Sequence, residues 1–432
     1  MFLIFRRKYL IFFIFFSILI FVLGFFLREN SAGGGNLDFN NTWPNLKIFL
    51  DNDFISAIKN TKTLELGNFI SSRIPTSYVL NKLFNPFTYS PTAFLFSIFL
   101  ISFFAPFFLY FALKKKFEFE DRLALLGFSF ILFLSPYFRT SAFWAGEENY
   151  GLIIIFPAYF YFYKYLKEKS NYIKKLNIFL FTFFSCLSLY FDQKLLIIPI
   201  IFLYLFLKNE KKKENIIIYL IINLIFAIPL LILFYFWNNI VGAHDALIRQ
   251  VGKSFLLINI GYTSTIIFFY FIPYLLFNFK KVISEIFYEK KIIVIYTIFF
   301  LIYLSLLNLF SNNYYGWDIY GKGWVSKLAN IIFNDENLKT IFIYLIFFIS
   351  GLFLVHLSKN NFLLAIILLY FFLISLFILP LFQEYFDPLI FFIILLFFYK
   401  KKDLNPKFII FNYIFYIIFL IVCLFYYLQI KI

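Results

Sequence analysis

Cysteine, histidine and methionine are nearly absent from this chain: two, two and one among 432 residues, and only 14% of the sequence is charged. Cys186 and Cys423 sit inside apolar stretches, so they report neither a redox compartment nor a metal site. His244 and His356 are too few and too far apart for a histidine-built metal centre. Phosphate loops are lacking too. SAGGGN (31–36) has neither the lysine nor the following hydroxyl of that motif, and YGKGW (320–324) lacks its spacing. No internal repeat of the kind transporters use is visible.

What is present is apolar and aromatic. The chain is 62% hydrophobic and 25% aromatic, with 73 phenylalanines, a composition that only a polytopic membrane protein fits. Apolar runs fall at 9–27, 91–113, 123–138, 150–166, 176–191, 195–207, 215–237, 257–278, 292–310, 340–357, 362–381, 388–399 and 408–428. Helices are expected throughout, because an open strand edge cannot satisfy its backbone in lipid. The expectation is an all-α integral membrane protein of about 11–13 transmembrane helices, forming one polytopic domain over 1–432. Residues 1–27 are similar to a signal peptide, but the apolar run is long and Arg28-Glu29 follows without a small-residue cleavage site. They read as an uncleaved first span.

Every second gap between spans is rich in lysine. Arg6–Lys8, Lys114–Arg122, Lys164–Lys175, Lys208–Lys213, Lys280–Lys291, Lys359 and Lys400–Lys407 hold 25 of the 39 basic residues. Positive loops stay cytoplasmic, which places the N-terminus inside and the long loops outside. The acids divide as 9 inside and 14 outside, so the whole formal charge of +16 lies on the inner side. That excess is a topology signal and an attraction to anionic lipid, not a nucleic-acid surface. No inner segment exceeds about 15 residues, so no soluble nucleotide-sugar domain hangs there. The Phe, Ile, Lys and Asn bias looks like that of an AT-rich bacterial genome, and the expected location is a bacterial inner membrane with the active face periplasmic.

The outer loops hold the polar residues. In loop 28–90, Leu46, Leu50, Phe54 and Ile58 recur every four residues, which predicts an amphipathic helix in the headgroup plane. A second large loop spans 311–339, and a smaller one, 238–256, contains His244. Candidate site residues are Asp38, Asp51 and Asp53 in the first loop, Arg139, Glu147 and Glu148 in the next, then Lys194 and Glu384. Charge beside hydrocarbon is costly and needs a reason. Each also has a plain reading: Asp38 as a turn residue, Asp51-Asn52-Asp53 as a solvated helix face rather than a metal-binding triplet, Arg139 and Lys194 as interfacial anchors.

Three segments carry a resemblance: NLDFNNTW (36–43), GNFISSRIPTSYVL (67–80) and SPYFRTSAFWAGEENYG (135–151). The last two are similar to the "G…R.P..Y.L" approach to the second span and to the second outer loop of the GT-C membrane glycosyltransferases. PLFQEYFDP (380–388) is a fainter likeness to that family's late "E.RY..P" segment and lacks its arginine. The resemblance implies a polyprenyl-phosphate sugar donor, a glycan, lipid or protein acceptor, and a catalytic acid at Asp38. Glu148 would support the sugar or the base, and Arg139 and Lys194 would hold the lipid phosphate, for which guanidinium and ammonium groups are suited. No cofactor is implied, and a divalent metal is left open. Two rivals remain: an O-antigen polymerase or ligase, whose large loop usually lies late in the chain, and a lipid-linked glycan flippase, which would need charges at mid-membrane depth.

Overall fold

The computed structural model describes residues 2–62, 71, 73–118, 121–239, 255–309, 321–359, 361–378, 380–400 and 404–429. Gly67 and His244 lie outside them. Among the described residues all regular structure is helical. The chain divides into two compact units, Met1–Ile248 with Tyr399–Ile432, and Arg249–Phe398. Nothing in the sequence marks this division, because both units are built from the same apolar helices joined by short basic turns.

Among the described residues, eight helices are long and apolar enough to cross a membrane, and a broken pair makes nine. The expected count of 11–13 is larger because three apolar runs form short or broken helices and a fourth, Glu148–Lys167, is long but less apolar. The run at 195–207 forms a helix of 13 residues, Ile197–Asn209, which is about 20 Å long. The run at 362–381 holds a 14-residue helix, and 388–399 breaks into a five-residue helix followed by a five-residue π-turn. The run at 123–138 bends by 67° at Ser135-Pro136, where proline cannot continue the preceding turn.

In the first unit, α1 (Phe2–Phe26) leads into the loop helices α2 (Gly35–Asp51), α3 (Phe54–Asn60) and α4 (Thr76–Phe84). Next come α5 (Pro91–Phe103), α6 (Ala105–Phe117), α7 (Arg122–Phe130) and α8 (Pro136–Phe143). The unit continues with α9 (Glu148–Lys167), α10 (Asn171–Leu189), α11 (Ile197–Asn209) and α12 (Lys213–Trp237), and is completed by Pro406–Gln429. Caps explain several starts. Ser90 Oγ accepts from the Ala93 N–H at 3.2 Å, and the Asp121 carboxylate accepts from Leu123 and Ala124. Lysines 114–116 fill the last turn of α6, where the helix dipole favours positive charge.

The amphipathic helix expected over 46–60 forms as two pieces. Asp53 ends the first arrangement and caps the second: its Oδ1 accepts from the N–H groups of Ile55 and Ser56 at 2.9 and 3.0 Å. Lys82 Nζ donates to the Phe49 carbonyl at 2.6 Å, closing the end of α2. Leu46, Phe49 and Ala57 are fully buried in a cluster with Tyr78, Phe94 and Ile98. Protein, not a headgroup layer, covers these side chains, so an in-plane position for the helix does not follow from its periodicity.

A buried ion pair fastens the second loop to the first span. Arg139, 1% exposed, donates through Nε and Nη2 to both oxygens of Glu29, the Nε bond being 2.7 Å. Its other donors reach the carbonyls of Phe133 at 2.8 Å and Ile20 at 2.9 Å. The guanidinium carbon also lies 5.2 Å from the centre of the Phe143 ring. Gly24 makes room for the pair, since a Cβ there would fall 2.3 Å from Arg139 Nη2 and 2.5 Å from Glu29 Oε2.

The second unit is organised around the helix Ile258–Phe277. A Cβ on Gly261 would fall 2.3 Å from the Phe347 ring, and the hydroxyls of Ser264 and Ser350 lie 3.0 Å apart. Small residues thus bring the helices Ile258–Phe277 and Glu336–Lys359 into close contact, as is common where lipid supplies no hydrophobic drive. Asn259 Nδ2 donates to the carbonyls of Ser375 and Ile378, at 2.9 and 2.8 Å.

Gly24→Ala is expected to lower stability by about 2 kcal/mol or more, because the crowded atoms belong to a buried ion pair. Leu23→Ala, at a position 48% exposed, is expected to change it little. Thermal unfolding of both variants in detergent checks this; equal melting temperatures would show that the pair yields without cost.

Candidate functional site

The segment that leaves α1 lies against the second loop. Trp144 Nε1 donates to the Glu29 carbonyl at 2.8 Å, the Ala32 N–H donates to Thr140 Oγ1 at 2.9 Å, and Ser31 Oγ donates to the Pro136 carbonyl at 3.1 Å. Gly35, at the start of α2, approaches Trp144 so closely that a Cβ would fall 2.6 Å from the indole. Phe39 then packs against Trp144, with ring centres 6.5 Å apart. Asp38 therefore sits in the first turn of a helix docked on this loop, exposed, with its carbonyl accepting from Thr42 Oγ1 at 3.0 Å.

Beyond Trp144 the chain turns through Ala145, which has a left-handed backbone (φ 55°), and Gly146, whose N–H donates to the Ser141 carbonyl at 2.8 Å. This turn delivers Glu147 and Glu148 to the start of α9. The end of the first loop meets them there. Arg73 forms an ion pair with Glu148, and the Tyr78 hydroxyl donates to Glu147 Oε1. Ser71 Oγ donates to the same oxygen at 3.3 Å, Asn45 Nδ2 donates to the Tyr78 hydroxyl at 3.2 Å, and Ser141 Oγ donates to Glu148 Oε1 at 2.5 Å. Three separate stretches of chain (45–78, 141 and 147–148) thus share one polar cluster.

The two neighbouring carboxyls titrate in opposite directions. Burial would push Glu148 up, but the Arg73 guanidinium, then the Lys194 ammonium and the Ser141 hydroxyl outweigh it and hold the group down at about 2. For Glu147, burial dominates over Arg73 and Tyr78, and its carboxyl rises above the usual range. Its second oxygen, Oε2, is buried with no hydrogen-bond partner among the described residues. Burial, then the Glu147 charge, also push the Tyr78 hydroxyl up, so it remains a proton donor. Adjacent groups whose environments separate their pKa values are a recurring feature of reactive sites.

Lys194 belongs to this neighbourhood, since its charge acts on Glu148. It stands at a 3-10 turn capped by Asp192, whose Oδ2 is 3.7 Å from Nζ. Arg139 does not join it. The sequence pointed to a guanidinium facing a lipid phosphate, whereas four of its donor contacts go to Glu29 and two backbone carbonyls in a sealed position. Asp51 and Asp53 are exposed, and Asp53 accepts from Ser56 Oγ at 2.6 Å as well as capping α3. Ser56 and the neighbouring N–H groups hold its carboxyl below the usual range. Among the described residues no three acidic, cysteine or histidine side chains converge as a metal-binding group. Glu384 is half-buried in the second unit, in the short turn Gln383–Tyr385, beside Gln383, whose Nε2 lies 3.5 Å from the Tyr270 hydroxyl.

Arg73 and Tyr78 were not among the candidates. The signal for them was present in RIPTSY, where both occupy fixed positions of the quoted motif. Comparison of the chain with protein-family models, with curated proteins and with solved structures finds no match.

Arg73→Gln is expected to remove the strongest attraction on the Glu148 carboxylate, so its pKa rises from about 2 toward the ordinary carboxyl value, with Lys194 and Ser141 still opposing burial. In the native protein the paired, depressed carboxyl stabilises the fold above about pH 4.5, and that contribution is lost only as pH falls toward about 2. In Arg73→Gln most of that contribution is lost, so the variant is less stable than the native protein at neutral pH and the gap closes on acidification below about pH 4.5. The difference in melting temperature between the two should therefore be larger at pH 7.5 than at pH 3. An equal difference at the two pH values would contradict the pairing.

Proposed function

We propose that the protein is a polytopic membrane glycosyltransferase of GT-C type that moves a sugar from a polyprenyl-phosphate donor to an acceptor hydroxyl. The observation that supports this reading is the meeting of two of the three segments that carry the resemblance. RIPTSY supplies Arg73 and Tyr78, GEEN supplies Glu148 and Glu147, and the side chains bond pairwise. The orientation proposed with it puts these loops on the outer face of a bacterial inner membrane, with the N-terminus inside.

In this reading Asp38, exposed at the start of α2, takes the proton of the acceptor hydroxyl as its oxygen bonds to the anomeric carbon. The bond from that carbon to the phosphate oxygen breaks, and polyprenyl phosphate leaves with the electron pair. An ionised carboxylate with solvent access suits the role of base. Glu148, with a pKa of about 2, is too weak a base for it and instead positions the two cations that flank it. Arg73 and Lys194 take the part first assigned to Arg139 and Lys194, stabilising charge on the leaving phosphate. Tyr78 donates to Glu147, and this bond fixes the junction between the loops. No metal or cofactor enters this scheme.

Purified protein incubated with a panel of radiolabelled polyprenyl-phosphate sugars should release label from at least one donor. Asp38→Asn should reduce that release by about 100-fold or more with folding unchanged. Full activity in Asp38→Asn would remove the base assignment. Release from no donor, with lipid-linked glycan moved across vesicles instead, would replace the reading with a flippase.

A further inference from the structure

A second polar feature lies at the other end of α9 from Glu148. A cleft of about 330 Å³ opens between α6, the start of α7 and α9, lined by Phe111, Lys114, Lys115, Glu118, Arg122 and Phe160. Glu118, its acidic member, is already paired with Lys167 at 2.9 Å, and Lys167 Nζ also donates to the Lys115 carbonyl at 2.5 Å. Lys114, Lys115 and Arg122 form no ion pair within 4 Å among the described residues. Among the described lining residues, three cations thus stand against one carboxylate that is already ion-paired, and two phenyl rings complete the wall.

The approach to this cleft is apolar. Phe104, Phe107, Phe108 and Phe111 are 54%, 37%, 41% and 51% exposed and, at spacings of three and four, line one face of the chain leading to Lys114 and Lys115. Lys167, partner of Glu118, is 19 residues beyond Glu148 on α9, a rise of about 28 Å that separates the cleft from the loop cluster.

We propose that this cleft is a binding site for an anionic membrane lipid. Its phosphate sits among Lys114, Lys115 and Arg122, and an acyl chain runs along the Phe111–Phe104 face. The phosphate accepts hydrogen bonds from one guanidinium and two ammonium groups, and the rings cover the glycerol end of the chain. This site does not depend on the glycosyltransferase reading.

The test is native mass spectrometry of protein extracted from nanodiscs of mixed phosphatidylglycerol and phosphatidylcholine. Wild type should retain phosphatidylglycerol selectively. Lys114→Gln/Lys115→Gln/Arg122→Gln should retain about tenfold less, and the single Arg122→Gln, which keeps two cations, should show a smaller loss in the same direction. Phe111→Ala/Phe160→Ala should also weaken retention, and inorganic phosphate should not displace the lipid. Removing the same charge at another basic turn, with Lys211→Gln/Lys212→Gln/Lys213→Gln, should leave retention unchanged. Equal losses from the two triple variants would reduce the effect to general surface charge and overturn the site. Displacement by inorganic phosphate, with no effect of the phenylalanine variant, would likewise overturn a lipid occupant.

Discussion

The loop architecture of the first unit depends on a guanidinium that never reaches solvent. Arg139 is 1% exposed, and its donors are divided between the Glu29 carboxylate and the carbonyls of Ile20 and Phe133. Ile20 lies within α1, six residues before its end, and Phe133 lies just before the bend into α8. An unpaired charge at this depth is costly, so the arginine, the glutamate and the two backbone segments constrain one another. Gly24 is the steric counterpart, since no larger residue leaves space for the pair.

With the first span and second loop joined in this way, the remaining loop helices have a fixed surface to pack on. Trp144 accepts Gly35 and Phe39 of α2, and α4 brings Tyr78 to Glu147. Two adjacent glutamates then experience different surroundings across a single peptide. Glu148 faces Arg73 and the Lys194 charge, while Glu147 faces Tyr78 and Ser71 and has one buried oxygen without a hydrogen-bond partner among the described residues. A carboxylate held down by cations thus stands beside a carboxyl raised by burial, two shifts of opposite sign across one peptide bond.

The helical class of the fold was legible in composition alone, because nothing else satisfies a backbone in lipid. The number of crossings was less so: hydropathy registers Ile197–Asn209 and Leu389–Phe398 as apolar without measuring their length or breaks. Periodicity at Leu46, Leu50, Phe54 and Ile58 indicated a helix, but Asp53 followed by Ser56 is a capping pattern that divides it. The Asp-Asn-Asp triplet thus has a structural explanation in its third residue. Arg139 was read as a lipid-phosphate ligand or an interfacial anchor, yet its partner Glu29 lies 110 residues earlier, and such pairings are visible only once helices are packed. Arg73 stood in a quoted motif beside Tyr78, but sequence spacing could not show which acids they meet, 75 and 69 residues later.

The central claim is that the Arg73, Glu148 and Lys194 cluster is where a lipid-linked phosphate is held. The direct measurement is a cryo-electron microscopy structure of the full chain in a nanodisc, formed in the presence of a polyprenyl phosphate. The account predicts density for the phosphate within hydrogen-bonding reach of Arg73 Nη or Lys194 Nζ, with the first turn of α2 bordering it. Phosphate density confined to other basic groups, with the Arg73–Glu148 pair unaltered and shielded from the lipid, would contradict it.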